Sequence, residues 1–344
     1  MAKAGLCTFL NRGPVIPGQK WMARIAGLSP GLSPRGHLDL RMPVTSNPMD
    51  HLDITSMRES AAFQRASGFR QAWTMHSGTC HPYSLEAKPD PAHYPNAPLG
   101  VFNNDPLNNY YIEHFSITGM RVLQQMGDLA PEEVIIWNEA NELNIIAPGD
   151  YCPPTDAAKG SALAPEVFGA LLYQCIKRWR DPSIKTRIFR PGPFSLKLSM
   201  DTDPRSDWFL GYWQKAIDYV RSNGGGDLLL DGICLNMEGI VSSLSGAMYV
   251  AQTMRDVMSY GNWTGHLVIS EVGAPAGNLD PVALAASYER LDKTMDWLYW
   301  YQGPVREPGS LTGYGAFDYT EEQGLFVPTT NTVLYPFLQK LYNA

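Results

Sequence analysis

The sequence has no apolar run of the length that a membrane-spanning helix requires, which is about 20 residues. Its N-terminus also lacks a charged segment followed by a long apolar stretch, as a secretion signal would have. We therefore expect a soluble protein with no membrane partner. The native compartment stays open, because a signal that had been trimmed would leave no trace.

An excess of basic residues is also absent. The 344 residues include 27 basic and 34 acidic ones, which gives a net charge of -7. A surface of that sign repels a phosphate backbone, so nucleic acid is not an expected partner. The five cysteines are scattered and odd in number, and a chain of this length does not need disulfides, so we predict reduced thiols.

What the chain does contain is apolar sequence sufficient for one large core, with a hydrophobic content of 44%. Short apolar runs alternate with longer segments of helical period, a pattern typical of a parallel sheet covered by crossover helices. We predict a single α/β domain over residues 1–344, a (β/α)8 TIM barrel. The predicted strands are Gly5 to Phe9, Leu38 to Val44, Phe69 to Met75, Val134 to Trp137, Arg187 to Phe189, Leu230 to Leu235, Leu267 to Ile269 and Gly313 to Phe317.

The helices between these strands are predicted from apolar stripes. A short first helix is expected over Gln19 to Leu28, and a long loop from His76 to Asn108 follows the third strand. The stripes are Phe168, Leu172, Cys175 and Trp179; Phe209, Trp213, Ala216 and Val220; Val250, Met254 and Val257; and Leu284, Tyr288, Leu291, Met295 and Leu298.

Two predicted strands end in carboxylates. The apolar run Val134 to Trp137 leads into Asn138 and Glu139, and the run Leu267 to Ile269 leads through Ser270 to Glu271. In a closed barrel of eight strands, the fourth and seventh lie roughly across the mouth from each other, so the two carboxylates can converge on one bond. A retaining glycosidase needs such a pair about 5 to 5.5 Å apart, whereas an inverting one leaves about 6.5 to 9.5 Å for a water molecule.

With Trp137-Asn138-Glu139 and Ser270-Glu271 at these strand ends, the chain resembles the clan A glycoside hydrolases, the retaining TIM-barrel superfamily that includes family 5. The resemblance implies that Glu139 is the acid/base, Glu271 the nucleophile and Asn138 a donor to the sugar 2-hydroxyl. It also implies that Arg41, in Leu40-Arg41-Met42-Pro43-Val44, keeps Glu271 ionised. His76 resembles the family 5 histidine that contacts the sugar.

The sixth and eighth strands depart from the clan pattern. The sixth reads Cys234-Leu235-Asn236-Met237-Glu238 and lacks the tyrosine that usually contacts the nucleophile, so Asn236 and Glu238 become candidate cleft residues and Glu238 a candidate replacement for that tyrosine. The eighth lacks the usual tryptophan, which leaves Phe317 or Tyr319 to stack on the sugar, and Tyr314 is a further candidate stacking surface. Asp318 either orients a sugar hydroxyl or caps a turn.

The leading hypothesis is a retaining glycoside hydrolase that cleaves O-glycosidic bonds of an oligo- or polysaccharide and uses no metal or organic cofactor. His76, Cys80 and His81 lack a second pair with zinc-ligand spacing, which disfavours a metal site. Three alternatives remain open: a carbohydrate-binding barrel without catalysis, a transglycosylase with the same carboxylates, and a structural barrel module. The sugar, the linkage, endo or exo action and the oligomeric state also stay open.

Overall fold

The computed structural model describes part of the chain. The described residues are 3–8, 33–39, 54–66, 71–76, 110–137, 140, 165–192, 194–195, 205–238, 244–273, 297–300, 318–322 and 325–329. The predicted first helix at 19–28, most of the predicted loop at 76–108 and the predicted eighth strand at 313–317 lie outside these ranges.

A parallel sheet is the centre of the described structure, and its strands are joined by helices. The strands of the sheet are β1 (Lys3–Thr8), β2 (Ser33–Asp39), β3 (Ala72–His76), β4 (Glu133–Ile136), β5 (Ile188–Pro191), β6 (Phe194–Ser195), β7 (Gly232–Glu238), β8 (His266–Gly273) and β9 (Trp297–Trp300). Among the described residues, their order across the sheet is β5-β4-β3-β2-β1-β9-β8-β7-β6, and the described neighbouring pairs are parallel. A separate antiparallel pair is formed by β10 (Asp318–Glu322) and β11 (Leu325–Thr329).

Each described helix lies in the chain between two successive strands of this sheet. The helices are α1 (Thr55–Ala66), α2 (Tyr110–Met126), α3 (Pro165–Trp179), α4 (Arg205–Ser222) and α5 (Leu244–Gly261), and a 3-10 turn at Gly127–Leu129 extends α2. Helix α3 packs between α2 and α4, and α4 packs against α5. The strand-helix alternation predicted from the periodicity is thus confirmed for the described residues between 54 and 273.

The two edges of the sheet come from one short stretch of chain. Strand β5 pairs with β4 at one edge, through Glu133 opposite Ile188, and β6 pairs with β7 at the other, through Phe194 opposite Leu235. Only residues 192 and 193 separate β5 from β6 in the sequence. Strand β5 also contacts β7.

The two faces of the sheet have different neighbours. Phe189 of β5 packs on Trp179 of α3, with 6.4 Å between ring centroids, so that face lies against the helices. Alternate strand residues face the opposite side. There, fully buried Ala72, Ile135, Cys234 and Val268 form an apolar cluster.

The stripes predicted for α3 and α4 are confirmed, because every residue named in them is buried. Aromatic rings connect the helices: Trp213 of α4 contacts Phe168 of α3 at 5.4 Å and Trp263, just after α5, at 5.5 Å between centroids. The indole nitrogen of Trp263 donates to the Leu228 carbonyl at 2.5 Å. This contact joins the end of α5 to the segment that enters β7.

The structure corrects the sequence-based assignment of the second strand and of the eighth. The described second strand is Ser33–Asp39, in a Gly- and Pro-containing stretch, and so begins five residues before the predicted start at Leu38; residues 40–44 of the prediction lie outside the described residues. Leu298 was assigned to a helix and the eighth strand to Gly313 to Phe317, but Trp297–Trp300 is the strand that lies between β8 and β1 and pairs with both. A four-residue apolar run fits a helix or a buried strand equally well, so the strands on either side decide its conformation.

Candidate active site

Most of the described candidate residues lie in strands of the parallel sheet or come directly after one. Asn138 and Glu139 come after β4 and lie outside the described residues, between Trp137 and Ala140, which are both described and buried. Glu271 is in β8, and Glu238 ends β7 opposite Gly273. His76 ends β3 opposite Asp39 of β2.

The end of β4 has an unusual backbone conformation. Trp137 has a φ of 77°, in the left-handed region that bulky residues rarely adopt. Its backbone N–H donates to the carbonyl of Met75 at 2.7 Å, and its indole packs edge-on against Phe115 at 5.4 Å between centroids. Trp137 is 3% exposed, which confirms the interpretation that it is a packing residue and not a sugar platform.

A β-bulge lies at the position of Glu271. Leu235 of β7 is opposite Ile269, but the next residue, Asn236, is opposite Glu271, so Ser270 is an extra residue in β8. The pairing with β9 shows the same irregularity, since its register also shifts between Ile269 and Val272. Bulges bend a strand and re-aim the residues beside them, and they are frequent next to active sites.

Asn236 is the candidate that the structure describes most fully. It is 1% exposed and lies two residues after Cys234, on the face of β7 that carries the apolar cluster. Its register partner is Glu271. Such deep burial favours an interaction with neighbouring protein groups over direct contact with a sugar.

The remaining candidates are only partly covered. Arg41, Tyr314 and Phe317 lie outside the described residues. Asp318 is the first residue of β10, opposite Thr329 in the antiparallel pair, and is not at the end of a strand of the parallel sheet. The site thus has one described pair of candidates in register, Asn236 and Glu271.

One buried charge pair was not found from the sequence. Arg190 of β5 and Glu133 of β4 form an ion pair, and both side chains are fully buried. Arg190 is opposite Ile135, so the pair shares the face of the apolar cluster. An arginine inside the apolar stretch Ile188-Phe189-Arg190-Pro191 was the available signal, because a buried arginine needs a carboxylate partner.

Within the described ranges, no group of three or more His, Cys, Asp or Glu side chains is arranged to hold a metal ion. Cys80 and His81, which were considered together with His76 as metal ligands, lie outside those ranges. In the same part of the chain, no helix is both long enough and apolar enough to cross a membrane. Cys175 and Cys234 are buried free thiols, in agreement with the predicted reduced state.

No protein-family model and no curated protein matches this sequence. Solved structures do match over nearly the whole chain. A family 39 glycoside hydrolase from Bacteroides cellulosilyticus WH2 has a TM-score of 0.58 at 13% identity, with 99% of this chain covered. The chain spans 63% of that protein's length.

Two further structures match over a larger share of their own length. A family 1 β-glucosidase from Thermotoga maritima has a TM-score of 0.60 at 12% identity and covers 99% of this chain and 98% of its own. A GH5_18 variant from Bifidobacterium longum subsp. longum, in complex with Manβ1-4GlcNAc, has a TM-score of 0.58 at 16% identity and covers 100% of this chain and 79% of its own.

The fold of the chain is similar to that of glycoside hydrolases from several clan A families. The resemblance predicted from the strand-end residues is thereby confirmed at the level of fold. The similar structures are TIM-barrel enzymes, which agrees with the parallel strand-helix order of the described residues. At identities of 11% to 16%, the likeness concerns the arrangement of the backbone.

Proposed function

We propose that this chain is a retaining glycoside hydrolase of clan A, in which Glu139 is the acid/base and Glu271 the nucleophile. The observation that carries the proposal is the order of the strands. If β5 and β6 are counted as one strand, Glu139 follows the fourth strand of the sheet and Glu271 lies in the seventh. These are the positions from which two carboxylates can face each other across a closed barrel of eight strands.

The proposal includes closure of the sheet into a (β/α)8 barrel that forms one domain over residues 1–344. Closure requires a strand that pairs with β4 on one side and β7 on the other. The stretch 188–195 supports this, because its first half pairs with β4 and its second half with β7. In this arrangement the face with Ala72, Ile135, Cys234 and Val268 is the barrel interior.

The chemistry is a double displacement. Glu139 donates its proton to the glycosidic oxygen while the Glu271 carboxylate attacks the anomeric carbon, which breaks the carbon–oxygen bond and forms a glycosyl ester. Glu139 then removes a proton from water as the water oxygen attacks the same carbon and releases Glu271. The two carboxyl groups therefore need opposite protonation states at the start of the reaction.

The other candidates serve this pair. Asn138 donates to the 2-hydroxyl, His76 contacts the sugar next to the scissile bond, and Arg41 favours the ionised form of Glu271 through its positive charge. Glu238 and Asn236 provide polar groups from the sixth strand. Tyr314 and Phe317 provide stacking surfaces for the sugar.

A carbohydrate substrate agrees with the glycoside hydrolases that share this fold. A screen of the wild-type protein with aryl glycosides and polysaccharides identifies the sugar. The variants Glu139→Ala and Glu271→Ala are then assayed with the best aryl glycoside, with and without sodium azide. Glu59→Gln, an exposed carboxylate on α1, serves as the control.

Both carboxylate variants should lose turnover, and azide should restore product with a different stereochemistry in each. Azide in the place of Glu271 attacks the substrate directly and gives the inverted glycosyl azide, whereas in Glu139→Ala it attacks the glycosyl ester and gives the retained one. Activity that survives in Glu271→Ala without azide would exclude this assignment. Tight glycan binding without any product would indicate a carbohydrate-binding barrel, and transfer to a sugar acceptor in preference to water would indicate a transglycosylase.

A further inference from the structure

The last residue before Asn138 and Glu139 is held in a strained conformation. Trp137 has a φ of 77°, and a bulky side chain keeps such a backbone only where the surroundings enforce it. Two contacts enforce it from one side: the hydrogen bond from its N–H to the Met75 carbonyl, at 2.7 Å, and the packing of its buried indole on Phe115. Backbone strain of this kind is found at functional sites more often than elsewhere.

Gly192 provides the constraint on the other side. A Cβ atom at this position would lie 2.6 Å from the carbonyl oxygen of Ile136 and 2.6 Å from the carbonyl carbon of Trp137. Real Cβ atoms do not approach backbone atoms so closely, so only glycine fits without a shift of β4 or β5. Gly192 is not among the described glycines with positive φ, and the requirement is therefore one of space.

The chain beyond Trp137 is anchored again almost at once. Ala140 is fully buried, and only Asn138 and Glu139 separate it from Trp137. The φ and ψ angles of Trp137 set the direction in which the chain leaves β4. The conformation of Trp137 therefore determines how the chain enters Asn138 and Glu139.

We propose that Trp137 and Gly192 are positioning residues for the acid/base: the close approach of Gly192 and the buried indole hold the left-handed turn that sets the position of Glu139. This inference rests on the proposed function. Catalytic groups are sensitive to such placement, since a displacement of about 1 Å can cost about 10²-fold in rate. The loss falls on the steps in which Glu139 transfers a proton.

The test compares substrates that differ in their need for that proton. A glycoside of a poor leaving group, such as a methyl-substituted phenol, requires general acid help in the first step, whereas a 2,4-dinitrophenyl glycoside does not. The variant is Gly192→Ala, which places a methyl group against the two carbonyl groups. Trp137→Phe is the second variant, because it keeps a buried ring and hence the fold if Gly192→Ala does not fold.

The matched control is Gly169→Ala. A Cβ at Gly169 of α3 would collide with the backbone carbonyl of Ala216 in α4, so this variant has a comparable steric conflict between two helices. Its kcat/KM for the two substrates should change by the same factor. Glu139→Ala provides the reference for complete loss of the acid/base.

We expect Gly192→Ala to lower kcat/KM for the poor leaving group by about 10²-fold, and Trp137→Phe by about 10-fold, with much smaller losses for the dinitrophenyl substrate. The alkaline limb of the pH profile, which reports the acid, should weaken in parallel. Equal losses for both substrates, as in Gly169→Ala, or no loss in either variant would overturn the inference. If Glu139→Ala itself shows no dependence on the leaving group, the proposed function fails instead.

Discussion

Asn236 of β7 and Glu271 of β8 are register partners across a β-bulge in which Ser270 is the extra residue. Asn236 is buried to 1% exposure, and an amide that donates a hydrogen bond to a carboxylate favours its ionised form. We predict that Asn236→Leu lowers kcat on an aryl glycoside by about 10-fold to 10²-fold, a loss similar to that of other polar groups around a catalytic centre, with a smaller change in KM.

Steady-state kinetics with Asn236→Leu and with Cys234→Ala check this prediction. Cys234 lies two residues earlier on the same strand face, within the apolar cluster, so its truncation disturbs packing without removing an amide. A kcat for Asn236→Leu no lower than that of Cys234→Ala would show that Asn236 does not support Glu271.

The ion pair between Arg190 and Glu133 predicts a large difference between single and double replacements. Both side chains are fully buried, so removal of one partner leaves an uncompensated charge and should cost about 3–5 kcal/mol. The double variant Arg190→Met with Glu133→Leu should be far closer to the wild type, because apolar side chains of similar volume often replace a buried pair without loss. Urea unfolding of the four proteins measures the coupling, and additive effects of the single changes would contradict it.

Two glycines in neighbouring helices should respond in opposite ways to alanine. At Gly169 of α3 the new methyl group meets the Ala216 backbone, and overpacking of this kind costs about 1–3 kcal/mol. At Gly211 of α4 nothing lies within 4 Å of the place that the new methyl group would take, and alanine in a helix interior is more stable by up to about 1 kcal/mol. Chemical unfolding should therefore shift the two midpoints in opposite directions, and a shift in the same direction would contradict the close contact of α3 with α4.

Cys175 should make the stability of the protein fall at alkaline pH. Burial raises the pKa of this thiol well above its ordinary value of 9.0, although Arg178 acts in the opposite direction. Above the pKa of the unfolded thiol, the unfolded state loses its proton while the folded state keeps it, so the free energy of unfolding decreases as pH rises. Below that pKa the contribution is fully present.

Removal of the thiol removes this dependence. In Cys175→Ala the alkaline decrease should be shallower by up to about 1.4 kcal/mol per pH unit, measured by urea unfolding between about pH 8 and pH 10. Ile176→Val, a truncation next to it without a titratable group, should follow the wild-type slope. If the free energy of unfolding has the same pH dependence in Cys175→Ala and the wild type, the thiol ionises as easily in the folded state as in the unfolded state.

Much of the fold was predictable because its signals are local. Phe168, Leu172, Cys175 and Trp179 lie on one side of a helix through their spacing alone, and each is buried in α3. The apolar run Val134 to Ile136 likewise predicted a buried strand, which is observed as β4. The carboxylates of the candidate site were predicted from the same kind of local signal, and for Glu271 the strand extends beyond it to Gly273.

Other features depended on partners that are distant in the sequence. Trp297–Trp300 became a strand because β1 and β8 lie on either side of it, and Ser33–Asp39 became one through pairing with β1 and β3. Neither stretch has a periodicity that distinguishes it from helix or loop. Pairing across the sheet supplies the backbone hydrogen bonds that decide between these conformations.

The amino-acid order by itself determined the alternation of strands and helices, the apolar sides of α3 and α4, and the identity of the acids that follow the fourth apolar run and end the seventh. Only the tertiary structure decided the bulge at Ser270, the left-handed turn at Trp137 and the pairing of Arg190 with Glu133. The physical reason is that periodicity is a property of neighbours in the chain. A bulge, a strained turn or a buried ion pair forms only when a second segment of the chain packs against the first and its contacts stabilise that local conformation.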